Sequence, residues 1–77
     1  MKEHQVFAQW DAEAGVWVAT SEDVPGLCAE AASLEELLTI VGELIPELME
    51  LNCDIQPDAE FPFHITAERS GIARAAA

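Results

Sequence analysis

Hydrophobic and polar residues alternate along the first part of the chain in a way that predicts a β-hairpin. Residues 5–10 and 16–21 are rich in β-branched and aromatic side chains, and the polar segment between them ends at Gly15. Two such runs joined by a short glycine-containing loop are typical of a hairpin. If Trp10 pairs with Val16, period-two alternation places Phe7 and Trp17 on one face and Val6 on the other.

A tight turn and a short third strand are predicted next. Pro25 and Gly26 fit the two central positions of a type II turn, because glycine readily takes the positive φ of the second position. Residues 27–31 then form a strand that we expect to pair back on the hairpin, which completes an antiparallel meander.

The strongest pattern is a helix that begins after Ser33. Ser33 and Glu36 have the spacing of a capping box, in which the serine oxygen accepts a hydrogen bond from the N–H of Glu36. Pro46 predicts a kink near residues 42–46 or a restart of the helix, and Asn52 is a plausible end. Apolar residues at helical spacing predict one stripe: Leu34, Leu37, Leu38, Val41, Leu44, Ile45, Leu48 and Leu51.

The side of the helix opposite the apolar stripe is wholly acidic. Such a face is either a solvated surface or a docking surface for a cationic partner. The candidate partner-binding residues on it are Glu36, Glu43, Glu47 and Glu50.

A last strand is predicted over residues 61–68, with Pro62 indicating a sheet edge or the beginning of the strand. The fold class is therefore α+β, in the order β-β-β-α-β, with one helix on one face of the sheet. We expect a single domain over residues 1–68 and a flexible tail over 69–77. The uncovered face would expose Phe7 and Trp17, and a chain of 77 residues has a thin core. We therefore expect these two residues to mediate self-association into a homodimer.

Charge narrows the choice of partners. The chain has fifteen acidic residues and only three basic ones, Lys2, Arg69 and Arg74, so its formal net charge is -12. Such a body repels nucleic acid and anionic membranes, so we expect neither to bind directly. A basic protein is the natural partner, and solubility alone is the other explanation of the charge.

Enzyme chemistry finds little support in the residues. Neither histidine has a nucleophile at a motif spacing, and the two cysteines form no metal-binding pattern. We expect no enzyme activity and no cofactor or metal, and the absence of a leader or membrane span predicts a cytoplasmic protein. The carboxylates weighed for a metal site lie in two loops: Asp11, Glu13, Glu22 and Asp23.

Three segments carry a family resemblance: residues 10–27, with the Asp23-Val24-Pro25-Gly26 turn; residues 30–37, with the Ser33-Leu34-Glu35-Glu36 helix start; and residues 43–48. The chain resembles a small bacterial family known only as a domain of unknown function. That family in turn is similar to the N-terminal domain of HicB antitoxins. The resemblance covers about residues 5–68.

The resemblance implies a partial RNase H fold and a non-enzymatic antitoxin that blocks a small basic ribonuclease toxin, HicA-like, by occlusion. HicB proteins commonly have Gly-Asp-Thr where this chain has Ala31-Ala32-Ser33. They also carry a C-terminal DNA-binding domain, and we do not expect operator binding from this chain alone. Two alternatives stay open: an orphan structural or regulatory domain without a toxin, and a vestigial metal-dependent nuclease.

Overall fold

The computed structural model of the chain describes residues 3–52 and 59–76, and within them four strands and one helix form an α+β fold. The strands lie in one sheet in the order β3-β2-β1-β4. The predicted β-β-β-α-β order is therefore confirmed. The elements are β1 (His4–Asp11), β2 (Val16–Thr20), β3 (Cys28–Ala31), α1 (Leu34–Asn52) and β4 (Phe63–Glu68).

The first three strands form the predicted antiparallel meander, and β4 joins it parallel to β1. The parallel direction follows from α1, which carries the chain back across the sheet before β4 begins. Pro62 comes directly before β4, and its carbonyl accepts a hydrogen bond from the N–H of His4 (2.9 Å). β4 is an edge strand, which is one of the two alternatives that Pro62 indicated, and it begins at Phe63, two residues later than predicted.

The hairpin register differs from the prediction by one residue. Trp10 pairs with Trp17 and Asp11 pairs with Val16, so the predicted pairing of Trp10 with Val16 is wrong. Because side chains alternate between the two faces of a sheet, this shift moves every side chain of β2 to the face opposite the predicted one. Trp17 joins Val6 on the face that carries α1, whereas Phe7 stays on the open face.

Asp11 is the cause of the shift. It is the last residue of β1, and its carboxylate accepts hydrogen bonds from the N–H groups of Glu13 (3.1 Å) and Ala14 (3.2 Å). Its carbonyl also accepts the N–H of Gly15 (2.8 Å), which takes a φ of 68°. The loop is therefore one residue shorter than the pattern suggested.

The turn after β2 has the predicted conformation. Gly26 has a φ of 82°, and the N–H of Leu27 donates to the carbonyl of Val24 (3.2 Å). These are the properties of a type II turn with Pro25 and Gly26 in the central positions. The turn places Val24 and Leu27 inside, where both are buried.

Small side chains from the sheet and branched side chains from α1 fill the core. Alanines form much of the sheet surface beneath the helix, which allows the helix to approach closely. The buried hydrophobic residues are Val6, Ala8, Ala19, Val24, Leu27, Ala29, Ala31, Leu37, Val41 and Ile45.

The buried stripe of α1 is narrower than predicted. Leu37, Val41 and Ile45 follow one another at steps of four residues and are buried, but Leu38 is 51% exposed and Leu51 81% exposed. The reason is the position of α1, which packs over β2 and β3 and leaves its flanks free. Leu38 and Leu51, both members of the predicted apolar stripe, therefore lie outside the core.

The helix runs without interruption through Pro46 and ends at Asn52, so it does not restart at the proline. Pro46 lies on an exposed side of α1. Cys53 and Pro57 lie outside the described residues. Residues 69–76 form neither helix nor strand and are exposed.

Two leucines of α1 provide a matched test of this helix orientation. Leu37→Ala should lower the free energy of unfolding by about 2–5 kcal/mol, because it leaves a cavity in the core. Leu51→Ala should cost less than about 1 kcal/mol, since that side chain is already in solvent. Urea denaturation followed by far-UV circular dichroism measures both, and equal losses would contradict the orientation.

Candidate functional site

The start of α1 is fixed by Ser33. Its hydroxyl oxygen accepts the N–H of Glu36 (3.2 Å), and its carbonyl accepts the N–H of Leu37 (3.0 Å). The serine half of the predicted capping box is confirmed, while the exposed Glu36 carboxylate makes no return bond within the described residues. Glu35 and Glu36 lie in the first turn, where the helix dipole favours negative charge.

An acidic ridge runs along the solvent side of α1 and consists of Glu36, Glu43, Glu47 and Glu50. All four side chains are exposed. At 100° per residue they fall within about 60° of one another, on the side opposite the buried line of Leu37, Val41 and Ile45. At 1.5 Å per residue the ridge is about 21 Å long.

This ridge works against the stability of its own helix. Glu43 and Glu47 are four residues apart and Glu47 and Glu50 three apart, and like charges at these spacings cost a few tenths of a kcal/mol each. The last turn contains no basic residue to offset the negative end of the helix dipole. None of the four glutamates forms an ion pair with another described residue. Within the described residues the ridge therefore has no neutralising counter-charge.

The open face of the sheet contains a depression with a volume of about 580 Å³. Its floor is formed by Gln5, Phe7, Gln9 and Thr20, all of which are exposed. The loop that follows β2 forms its rim. This is the second candidate binding surface, and it is polar apart from Phe7.

The polar groups of the rim hold the loop against β1. The hydroxyl of Ser21 donates to the carbonyl of Gln5 (2.6 Å), and the Asp23 carboxylate accepts the N–H of Gln5 (2.7 Å). Ser21 Oγ also accepts the N–H groups of Asp23 (3.1 Å) and Val24 (3.2 Å). We call these bonds the Ser21 clamp. Sequence reasoning missed it, although a serine two to three residues before such a turn signals this geometry.

The predicted self-association surface of Phe7 and Trp17 does not exist as one surface. Phe7 is 48% exposed on the open face. Trp17 lies on the helix side, where its ring meets that of Trp10 edge to face at 5.5 Å between centroids. The one-residue shift in register separates the two. The guanidinium of Arg69 lies 3.9 Å from the centre of the Trp10 ring, a cation–π contact that sequence reasoning also missed.

The loop carboxylates weighed for a metal site lie apart. Asp11 ends β1, whereas Asp23 is bonded to Gln5 near the beginning of the same strand. Residues 3–52 and 59–76 contain no group of His, Cys, Asp or Glu side chains that could hold a metal ion.

The histidines and the described cysteine are also dispersed. His4 belongs to β1, and the centroid of its ring lies 6.2 Å from that of Phe61. His64 is exposed on the open face of β4, and Cys28 is an exposed free thiol in β3. In the described part of the chain, α1 included, no helix has the length and hydropathy of a membrane span.

The comparisons with known proteins agree with the fold. A family model described as a domain of unknown function, DUF1902, matches residues 3–76. The crystal structure of hypothetical protein TTHA1013 from the extremely thermophilic bacterium Thermus thermophilus is similar, with 44% sequence identity and a TM-score of 0.76. The match covers 92% of this chain and 99% of that one. No curated protein matches the chain.

The Ser21 clamp should be measurable as stability. Ser21→Ala removes one donor and one acceptor that together serve three backbone groups, and we expect a loss of about 1–3 kcal/mol in the free energy of unfolding. Ser70→Ala, an exposed serine beyond β4, is the control and should cost nothing measurable. Urea denaturation compares the two, and a neutral Ser21→Ala would show that the clamp does not support the loop.

Proposed function

The chain belongs to the DUF1902 family, and from that premise we propose that it is a non-enzymatic protein-binding module whose acidic ridge binds a small basic protein. In its most specific form the proposal is a cytoplasmic, HicB-like antitoxin. It would act by covering the RNA-binding surface of a small basic ribonuclease toxin. The observation that carries the proposal is the exposed ridge of four glutamates on α1, none of them in an ion pair with a described residue.

Charge supports recognition of a cationic surface. The chain carries a formal net charge of -12, and the ridge concentrates part of it on a rigid helix. Complementary charge accelerates association and discriminates against wrong partners. Because the ridge lowers helix stability, a role in binding explains its presence better than a role in folding does.

Occlusion follows from the chemistry of RNA binding. A ribonuclease holds the phosphates of its substrate mainly with lysine and arginine side chains. A row of carboxylates about 21 Å long can occupy those side chains in place of phosphates. An inhibitor of this kind needs no catalytic group of its own, only a rigid acidic surface.

Charge reversal on the ridge tests the proposal. The double variant Glu43→Lys/Glu47→Lys should raise the Kd for a small basic ribonuclease toxin of the proposed kind by about tenfold or more, equivalent to about 1.4 kcal/mol or more. Glu3→Lys/Glu13→Lys makes the same change in net charge at exposed positions off the helix and is the control. Isothermal titration calorimetry at low and moderate salt measures both.

Each alternative gives a different result. Equal weakening by the ridge variant and the control would indicate attraction by net charge alone and contradict a ridge-specific site. The absence of binding by the unsubstituted chain would favour the orphan structural or regulatory domain. In cells, co-expression of the unsubstituted chain should relieve growth inhibition by the basic protein, and the ridge variant should not.

A further inference from the structure

The side of the sheet that carries α1 is covered unevenly. Val6 pairs with Ile65 and Ala8 with Ala67, so all four side chains belong to the same face. Ala8 is buried, yet Ala67, directly beside it in the ladder, is exposed. Because α1 packs over β2 and β3, the inner face of β4 extends beyond the helix.

The flank of α1 that faces β4 continues this uncovered area. A Cβ at Gly42 would lie 3.7 Å from the ring of Phe63, which shows that this flank looks toward β4. Leu38, one turn earlier on α1, is 51% exposed, and Leu34, one turn before that, is 38% exposed. Since α1 runs opposite to β4, these leucines lie toward the later residues of the strand. Together they form an apolar strip: Leu34, Leu38, Ile65 and Ala67.

The strip borders the outer edge of β4, along which no strand of the described residues pairs. β4 is an edge strand of six residues, and its one Asp, Glu, Lys or Arg is Glu68 at the end. The opposite edge strand, β3, has four residues and carries Glu30 near its centre. Short length and charge are two of the devices that keep edges from pairing with other chains. β3 has both, whereas the first five residues of β4 carry no charged side chain of the Asp, Glu, Lys or Arg type.

The C-terminal arm, residues 69–76, supplies a segment of the right kind. All its described residues are exposed, and Ile72 is 84% exposed. The stacking of Arg69, the first residue of the arm, on Trp10 holds the beginning of the arm against the sheet of its own copy. A Cβ added at Gly71, in the middle of the arm, would have no atom of the chain within 4 Å except those of its two neighbours. The arm therefore leads away from the rest of its own copy.

Charge makes the arm complementary to another copy's body. Arg69 and Arg74 lie in the arm, whereas residues 3–68 contain no lysine or arginine and all fifteen acidic residues. In an extended arm Ile72 and Arg74 point to the same face. The apolar strip is bordered on α1 by the exposed Glu35. On one face of the arm, Ile72 can thus pack on the apolar strip of another copy while Arg74 lies near Glu35 beside that strip.

We propose that the chain forms a symmetric dimer in which the arm of each copy adds along the β4 edge of the other, with Ile72 over the apolar strip. Strand addition satisfies the free backbone groups of the edge, and the side chains on alternate positions give specificity. The reciprocal exchange closes a two-fold dimer instead of an open chain of copies. The proposal is independent of the acidic ridge, which lies on the far side of α1.

Exposed apolar residues allow a matched test by sedimentation equilibrium. Ile72→Ser should raise the dimer dissociation constant at least about tenfold, because it removes the anchor of the arm. Leu51→Ser removes an equally exposed leucine outside the strip and should leave the constant unchanged. Both side chains are in solvent in one copy, so circular dichroism should show intact folds. A monomeric unsubstituted chain, or a dimer indifferent to Ile72→Ser, would overturn the proposal.

Disulfide trapping tests the contact directly. In a Cys28→Ser/Cys53→Ser background, Ala67→Cys and Ile72→Cys are made in separate proteins and mixed under mild oxidation. Rapid formation of a mixed disulfide between Ala67→Cys and Ile72→Cys supports the arm exchange. In the control, Thr20→Cys replaces Ala67→Cys, and no rapid disulfide with Ile72→Cys is expected. Equal trapping with Thr20→Cys would place the arm elsewhere. A dimer that is weakened by Phe7→Glu and not by Ile72→Ser would assign self-association to the open face and reject the arm.

Discussion

The carboxylate of Asp11 accepts hydrogen bonds from two amides of the hairpin turn, and the turn that it closes determines which side of β2 meets the helix. With this register Ala19 lies beneath α1 and Trp17 meets Trp10 at the end of the sheet. If the pairing of β1 with β2 were shifted by one residue, Val18 and Thr20 would lie under the helix. The larger side chains would hold the helix farther from the sheet, and the hydroxyl of the threonine would be buried.

The alanine-rich sheet surface sets the position of α1, and that position determines what the rest of the surface can do. The helix lies over β2 and β3, where small side chains permit close packing. Its acidic ridge consequently points to solvent, and the inner face of β4 stays partly uncovered. Two surfaces of opposite character therefore arise from one packing arrangement: a charged one on the outside of the helix and an apolar one beside it.

Local signals in the sequence were sufficient for the order of the elements and for both ends of the helix. The Pro25-Gly26 turn, the Ser33 cap and the proline before β4 each depend on neighbouring residues alone, and each is confirmed. The hairpin register was missed because four- and five-residue loops fit the same composition, and the Asp11 carboxylate decides between them. The exposure of Leu38 depends on where the helix lies on the sheet, a tertiary property that helical periodicity does not contain. The acidic ridge was predicted from spacing, whereas the Ser21 clamp and the Arg69–Trp10 contact join residues distant in sequence.

The pair of Trp10 and Trp17 has an optical consequence. They are the two tryptophans of the chain, which has no tyrosine, so almost all its near-ultraviolet absorption and emission arise at one corner of the molecule. That corner lies where the hairpin ends and the C-terminal arm begins, since Arg69 covers the Trp10 ring. Intrinsic fluorescence therefore reports on the start of the arm through Trp10, which Arg69 covers, and on the core through Trp17, which packs against it. The coupled edge-to-face rings also give the chain a chiroptical marker of hairpin register, because a slip of one residue would place the two indoles on opposite faces.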